Sequence, residues 1–275
     1  MRSNNVLGFI FAATLDDKIP ELASSRTTAS VPIGGKYRII DFDLSNMSNS
    51  GISNVGIVAK SNFQSLMDHV GSGSAYDLSK RRSNLSILPP YDGKAFSSFV
   101  ETIYNMHGYI EHCREEYVLI SQGNVITNID YTDVFDFHSK KKADITLIYK
   151  NHAIPQGYDR PITLDVDNDG KVNQIFVKPG VVDKGVFNHA YGSILIKKDL
   201  LMSEIRNAIS VNQLDVKRLL QSSLGKYSIY AYENKGYCAA ISSINDYFEF
   251  NMDLMKKEVR DELFNPQRPI YTCLL

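Results

Sequence analysis

Several stretches of this sequence carry residue types that could do chemistry. The apolar run Val6-Leu7-Gly8-Phe9-Ile10-Phe11-Ala12 leads into Ala13-Thr14-Leu15-Asp16-Asp17-Lys18. A loop in that place would hold phosphates through glycine-rich backbone amides, but no glycine is present and two carboxylates would repel a triphosphate. Gly71-Ser72-Gly73-Ser74 has the glycines. It follows a helical pattern (Phe63, Leu66, Met67, Val70) instead of joining a strand to a helix, so it reads as a helix stop. His107 and Glu111, four apart, could share a helix face and hold a metal, but His112 points elsewhere and a solvated face is the simpler reading. Asp165-Val166-Asp167-Asn168-Asp169-Gly170 opens like a calcium loop. Its twelfth position is Phe176 where a bidentate glutamate belongs, and its flanks alternate like strands, so Asn168-Asp169-Gly170 reads as a hairpin turn. Tyr117-Val118-Leu119-Ile120-Ser121 is an apolar strand ending in Gln122-Gly123-Asn124, and catalytic groups sit at such strand ends in a parallel sheet.

The elements around these places follow from periodicity. Val6 to Ala12 is continuously apolar, as a strand covered on both faces should be. Gly51 to Val58 reads as a turn and a second strand, and Phe99, Ile103, Met106, Ile110 and Cys113 as the buried stripe of a helix. Further strands are expected at 144–149, 227–232 and 237–241, with a helix over 199–209 and Lys140-Lys141-Lys142 at the solvated end of another. Ser243 and Asp246 form a capping box for a last helix, along one side of which Ile244, Tyr247, Phe248, Met255 and Val259 recur. This β-α-β rhythm predicts an α/β fold with a mixed, mostly parallel central sheet and helices on both faces.

Composition narrows the function. The chain has 275 residues, with 30 Lys and Arg against 31 Asp and Glu, so a global field recruits neither nucleic acid nor an anionic membrane. A small-molecule or protein partner is expected. Cys113, Cys238 and Cys273 lie at unrelated spacings and suit a reducing cytoplasm. The run from Val6 to Leu15 is too short to span a bilayer and lacks a cleavage site, which favours a buried strand and a soluble, cytoplasmic protein.

The richest stretch is Gly34-Gly35-Lys36-Tyr37-Arg38-Ile39-Ile40-Asp41-Phe42-Asp43-Leu44-Ser45-Asn46-Met47-Ser48-Asn49-Ser50-Gly51. Its glycine pair suits a turn, its final glycine a helix stop, and Ile39, Ile40, Phe42, Leu44 and Met47 can bury while Arg38, Asp41, Ser45 and Asn46 hydrogen-bond. This string resembles the GGK-x-R-x-IDF-x-LSN-x-x-NSGI segment of the glucose-1-phosphate adenylyltransferases, the ADP-glucose-forming enzymes of glycogen and starch synthesis. The resemblance runs from Ile10 to Tyr271. It implies a Rossmann-like nucleotidyltransferase domain over 1–263, with 264–275 opening a linker to a C-terminal left-handed β-helix and the chain cut short before it.

What the resemblance implies for the site is mostly loss. Lys18 stands opposite an arginine of the family's glycine loop, and Arg26 survives from its R-A-K-P, whose lysine has become Thr28. Tyr91 replaces a glutamine that reads the base. Gly123 is kept, but Asn124 and Ala240 replace the two aspartates that hold magnesium. Lys178 matches the lysine that grips the sugar phosphate, and Val177 and Ala190 replace sugar contacts beside a retained Gly192. Nucleotidyl transfer needs the triphosphate charge offset. The resemblance therefore implies a regulatory, catalytically impaired subunit, holding no metal where the active family holds Mg2+ and paired with a catalytic subunit in a heterotetramer. Two alternatives are an active enzyme using Asp16 or Asp17, and a sensor of glucose 1-phosphate or another sugar phosphate anchored by Lys178.

Overall fold

The computed structural model describes residues 3–12, 19–59, 62–79, 84–89, 98–153, 161–177 and 185–273. Its strands are β1 (Val6–Phe11), β2 (Pro32–Ile33), β3 (Tyr37–Arg38), β4 (Asn54–Val58), β5 (Asn84–Leu88), β6 (Tyr117–Ser121), β7 (Val125–Thr127), β8 (Ile145–Ala153), β9 (Ile162–Val166), β10 (Val172–Val177), β11 (Val186–Lys197), β12 (Ile229–Glu233) and β13 (Cys238–Ala240). The helices are α1 (Pro20–Ala23), α2 (Ile39–Asn49), α3 (Gln64–Val70), α4 (Phe99–Asn105), α5 (His107–His112), α6 (Tyr131–Lys141), α7 (Lys198–Ser210), α8 (Val216–Ser223), α9 (Ile244–Asp253) and α10 (Lys257–Leu263). The expected α/β class and mixed central sheet are found. The residues group into two compact units, each drawn from separate stretches of chain.

The first unit comprises Met1–Leu7, Pro90–Leu119 and Asp133–Glu233. Its strands run β10-β9-β11-β6, and β8 lies against β11 and β12. The β8/β12 pair is parallel, while β11 is antiparallel to both β8 and β9. The calcium-like segment is the β9/β10 hairpin, where Asp167 Oδ1 accepts from the backbone N–H of Asp169 at 2.8 Å and of Lys171 at 2.9 Å. The helix expected over 99–113 is two helices, because the chain turns at Met106 between α4 and α5, yet Ile103, Met106 and Ile110 still bury together.

The second unit comprises Gly8–Pro89, Ile120–Thr132 and Asn234–Leu275. It carries the order β6-β1-β4-β5, in which every β1 residue is buried and β4 and β5 are parallel. The strand expected at 237–241 is found as β13, whereas its partner β7 and the small β2/β3 pair had no periodic signal in the sequence. At the centre lies α2, in which nine of eleven residues are buried. Its apolar side chains join a cluster of Ile126, Ile241, Phe250, Val259 and Leu263, and Tyr37 stacks on Phe264 at 4.9 Å.

Its buried polar side chains find partners, as burial demands, with one oxygen of Asp43 the exception. Asp41 accepts from Arg38 N at 2.8 Å, His69 Nε2 at 2.6 Å and Tyr76 Oη at 2.5 Å. Asn46 donates to Thr127 O at 2.8 Å and accepts from Ile129 N at 3.2 Å.

Two expectations for the last helix need correction. Ser243 Oγ caps Asp246 N at 3.1 Å, but the Asp246 carboxylate turns back to Ser242 N at 3.0 Å, so the box does not close on Ser243. The buried side is Tyr247, Phe250 and Leu254, whereas Ile244, Phe248 and Met255 are exposed and Val259 belongs to α10. A turn at 254–256 separates α9 from α10 and breaks the assumed continuous period.

Asn46→Ala would strip a carbonyl and an N–H of their buried partner. The expected loss is roughly 3 kcal/mol, read as a lower urea midpoint at unchanged slope.

Candidate functional site

At the carboxyl end of β1, Ala12 N donates to Val58 O at 2.8 Å and Ala12 O accepts from Ala29 N at 3.3 Å. Ala29 lies in a short 3-10 turn, Thr28–Ser30, which Val31 N closes onto Thr28 O at 3.1 Å. Thr28 is buried within it, so the position points no long side chain outward. Arg26, half-buried just upstream, lies close enough to be felt by the Arg38 guanidinium, whose pKa burial first and the Arg26 charge second hold below the ordinary value. Arg38 instead donates to Ser65 O at 3.0 Å and Ser65 Oγ at 2.6 Å.

The chain leaving β6 passes directly against this end. Gly123 has φ +67°, and a Cβ there would lie 2.4 Å from Phe11 O, so both the conformation and the close approach require glycine. Asn124 follows, and it is locked to the segment after β13 by two bonds. Its Nδ2 donates to Ile241 O at 3.1 Å, and its own carbonyl accepts from Ile241 N at 2.9 Å. Ala240 pairs with Val125 in the β7/β13 ladder, and Asn124 and Ala240 are only 4% and 5% exposed. This floor offers a satisfied amide and a methyl group, with no anionic donor.

A carboxylate does lie at the end of β6. Asp43, on α2 and buried, accepts from Ser121 Oγ at 2.5 Å, while its Oδ2 has no hydrogen-bond partner. Burial pushes its pKa up to about 7, against the smaller lowering from the Ser121 hydroxyl. Asp43 was not singled out in the sequence, because an acid between Phe42 and Leu44 on a helix carries no sign of being buried. The Asn124 lock was equally hidden, since it joins residues 117 apart.

In the first unit, Gly192 has φ +88° at an irregularity in the β8/β11 register. On the neighbouring turn of that strand Tyr191 Oη lies 2.5 Å from His152 Nε2, which is 3.3 Å from His189 Nδ1. Burial lowers the pKa of both imidazoles, that of His189 to about 3, so the cluster is neutral. Alternation on facing strands was its one sequence signal. His107 and His112 bond to the local carbonyls of Tyr104 and Gly108, and Glu111 pairs with Arg206. Among the described residues, no three His, Cys, Asp or Glu side chains gather closely enough to hold a metal ion, and no helix is long and apolar enough to cross a membrane. Lys18, Tyr91 and Lys178, with Asp16 and Asp17, lie outside the described residues.

Comparison with known proteins follows the same lines. Residues 17–257 match the family described as Nucleotidyl transferase. The chain is 30% identical over 282 residues to a glucose-1-phosphate adenylyltransferase of Clostridium acetobutylicum, a match covering 99% of this chain and 73% of that protein. It is 31% identical over 280 residues to the protein of that name from Bacillus subtilis, covering 97% of this chain and 71% of the other. In fold it is similar to a putative glucose-1-phosphate thymidylyltransferase from Bacillus anthracis in complex with a sucrose, with TM-score 0.74, 13% identity, and coverage of 95% of this chain and 98% of that one.

The Asp43 pKa fixes a sign for the dependence of stability on pH. Unfolded, this carboxyl ionises near its ordinary value of 3.8; folded, it keeps its proton to about 7. Between those values only the unfolded state sheds the proton, so stability falls as pH rises to about 7 and is level above it. Asp43→Asn should abolish that fall, stabilising the protein at pH 8 by up to roughly 4 kcal/mol and little at pH 4. Thermal melts of both proteins across this range provide the measurement.

Proposed function

This chain belongs to the glucose-1-phosphate adenylyltransferase family of nucleotidyl transferases, and on that premise we propose that it is a catalytically impaired, regulatory-type subunit assembling with a catalytic relative. The observation that carries the reading is the state of Asn124 and Ala240. Active members hold magnesium with carboxylates at the ends of the two corresponding strands. The ion offsets the triphosphate charge as the sugar phosphate attacks.

The residues here do not fit that ion. The only group of Asn124 that can face Ile241 O is its N–H donor, which repels a cation, and the residue is buried around that bond. Ala240 has no donor atom. Hard divalent cations of this kind take charged oxygen ligands, so neither position supplies what the family's metal needs. Thr28, buried in its turn, likewise leaves no cation where the family places a lysine. No chemical step is therefore derived through a metal. What remains is the scaffold: the buried α2, the Gly123 approach to β1 and the surviving Arg26.

The chain alone, given ATP, magnesium and glucose 1-phosphate, should form ADP-glucose at least about a thousandfold more slowly than a catalytic relative, since metal charge stabilisation is worth several kcal/mol. Turnover at an ordinary enzyme rate would refute the impairment. Mixed with a catalytic relative, it should co-elute and change that enzyme's rate or effector response; two proteins that elute apart with unchanged kinetics would refute the subunit role.

A further inference from the structure

The first unit carries a cluster of donor atoms on one face of its sheet. His189 and Tyr191 lie two residues apart on β11, and His152 lies on β8, which runs antiparallel beside it. Strand alternation turns the residue before each histidine the other way, and there Asn151 Nδ2 donates to Asn188 Oδ1 at 2.7 Å. The two imidazoles are diagonal neighbours across the strands, close enough for long side chains to meet. His152 Nε2 stands 3.3 Å from His189 Nδ1 and 2.5 Å from Tyr191 Oη. The rings lie within 21° of parallel with centroids 5.5 Å apart, a separation that the nitrogen contact and two ring radii fill, so the two nitrogens face each other edge to edge. His152 Nε2 thus has two close partners and a single lone pair or N–H to offer, and it cannot satisfy both fully.

We propose that these three residues bind one divalent transition-metal ion of the zinc type through His152 Nε2, His189 Nδ1 and the Tyr191 phenolate, with a fourth position open to water. A sheet can present three ligands to one ion in this way, because alternate residues of adjacent strands share a face. Zinc takes tetrahedral nitrogen and oxygen ligands at roughly 2.0 to 2.2 Å, which sets any two of them about 3.3 Å apart, the separation of the two imidazole nitrogens here. Tyr191 Oη has to withdraw by less than about 1 Å, and each ring to turn modestly, for the lone pairs to converge. His189 and Tyr191 are buried while His152 is half-buried, which leaves the way in on the His152 side. A hydrogen bond between the His152 ring and the Ala153 backbone holds its orientation, as second partners do for metal-ligating imidazoles.

The donor chemistry selects the ion. A metal must displace the protons of its ligands, and burial keeps both imidazoles neutral at neutral pH, so neither has one to lose. The phenol does lose one under the charge of the ion, and the phenolate then offsets the ammonium charges of Lys150 and Lys217 that bear on the two rings. Imidazole nitrogens suit zinc, copper and nickel, whereas magnesium takes oxygen, so this ion is not the one that active relatives hold. The three residues all belong to the first unit, and the site is independent of whether the chain is catalytic.

Isothermal titration of the full, metal-free chain with zinc chloride at about pH 7.5 should show one ion bound per chain with a Kd of about 1 µM or tighter. Repeated in buffers of different ionisation enthalpy, it should show about one proton released per ion, that of the phenol. His152→Ala and His189→Phe should each weaken binding at least about hundredfold, and Tyr191→Phe should weaken it less and abolish the proton release. His107→Ala, which removes an exposed imidazole from α5, should change nothing. Cobalt in place of zinc should give the strong visible bands of a four-coordinate ion, shifted in Tyr191→Phe. Circular dichroism of the metal-free variants separates lost binding from lost fold; His152→Ala at a half-buried position and Tyr191→Phe, smaller by one oxygen, should both stay folded. No zinc bound at about 100 µM overturns the proposal. So does binding that the folded His152→Ala and Tyr191→Phe variants leave unchanged, or that His107→Ala removes.

Discussion

A helix buried on nearly every side cannot leave its polar groups to water, and this constraint organises the second unit. Every polar side chain of α2 that is removed from solvent must find a partner, or cost about 1 to 3 kcal/mol. The partners it finds are the connections around the candidate site. Asn46 holds the strand-to-loop passage at Thr127 and Ile129, Ser50 Oγ accepts from Tyr131 N at 2.9 Å, and Ser45 Oγ accepts from Tyr271 N at 2.8 Å. Arg268 adds an ion pair to Asp130 at 2.7 Å and a bond to Ile129 O at 2.7 Å. Loop 127–131 and the tail beyond α10 are thus placed by the hydrogen-bonding needs of one helix. Asp43 is the one exception, with an oxygen left unpaired, and the structure accommodates it by keeping the group protonated near neutrality.

The same rule explains the floor at Asn124. Side chain and backbone of this residue exchange bonds with both polar groups of Ile241, so the β6 and β13 ends hold each other without an intermediary. An aspartate in this geometry would set a carboxylate oxygen against the Ile241 carbonyl, two acceptors in contact, a repulsion that a cation between acidic groups relieves. Asparagine removes the need for the cation.

Local signals and long-range ones were unequally legible. The strand at Val6 to Phe11, the helix after Arg38 and the β9/β10 hairpin were all readable, because continuous burial, amphipathic spacing and an Asn-Asp-Gly turn are written in adjacent residues. So was the need of Arg38, Asp41, Ser45 and Asn46 for partners, though not who the partners were. The strand at 237–241 was readable, but its three-residue partner β7 carries no period, and the Asn124–Ile241 lock joins residues that only the fold brings together. The stripe of α9 was misread for a different reason. Apolar residues at helical spacing occur on both of its sides, and periodicity alone cannot say which side faces the core. Packing decided it: Phe250 and Leu254 reach the cluster around Phe42 and Leu263, which leaves Phe248 and Met252 outside.

Framework and chemistry answer to different physical demands, and this accounts for where the chain keeps its family's pattern. Asp41 and Asn46 of α2 each serve two or more partners, so replacing either strands several buried groups at once and the fold resists the change. A pair of metal-binding carboxylates is the reverse case. Without their ion they repel one another and must be partly protonated to stay together, so they are a burden on the folded state that only function repays. An amide that can donate and a methyl group that can bury make a floor that holds together without an ion. Asn124 and Ala240 satisfy those demands through the Ile241 bonds and the β7/β13 ladder, while Gly123, whose Cβ would strike Phe11 O, has to stay a glycine whether or not anything is catalysed.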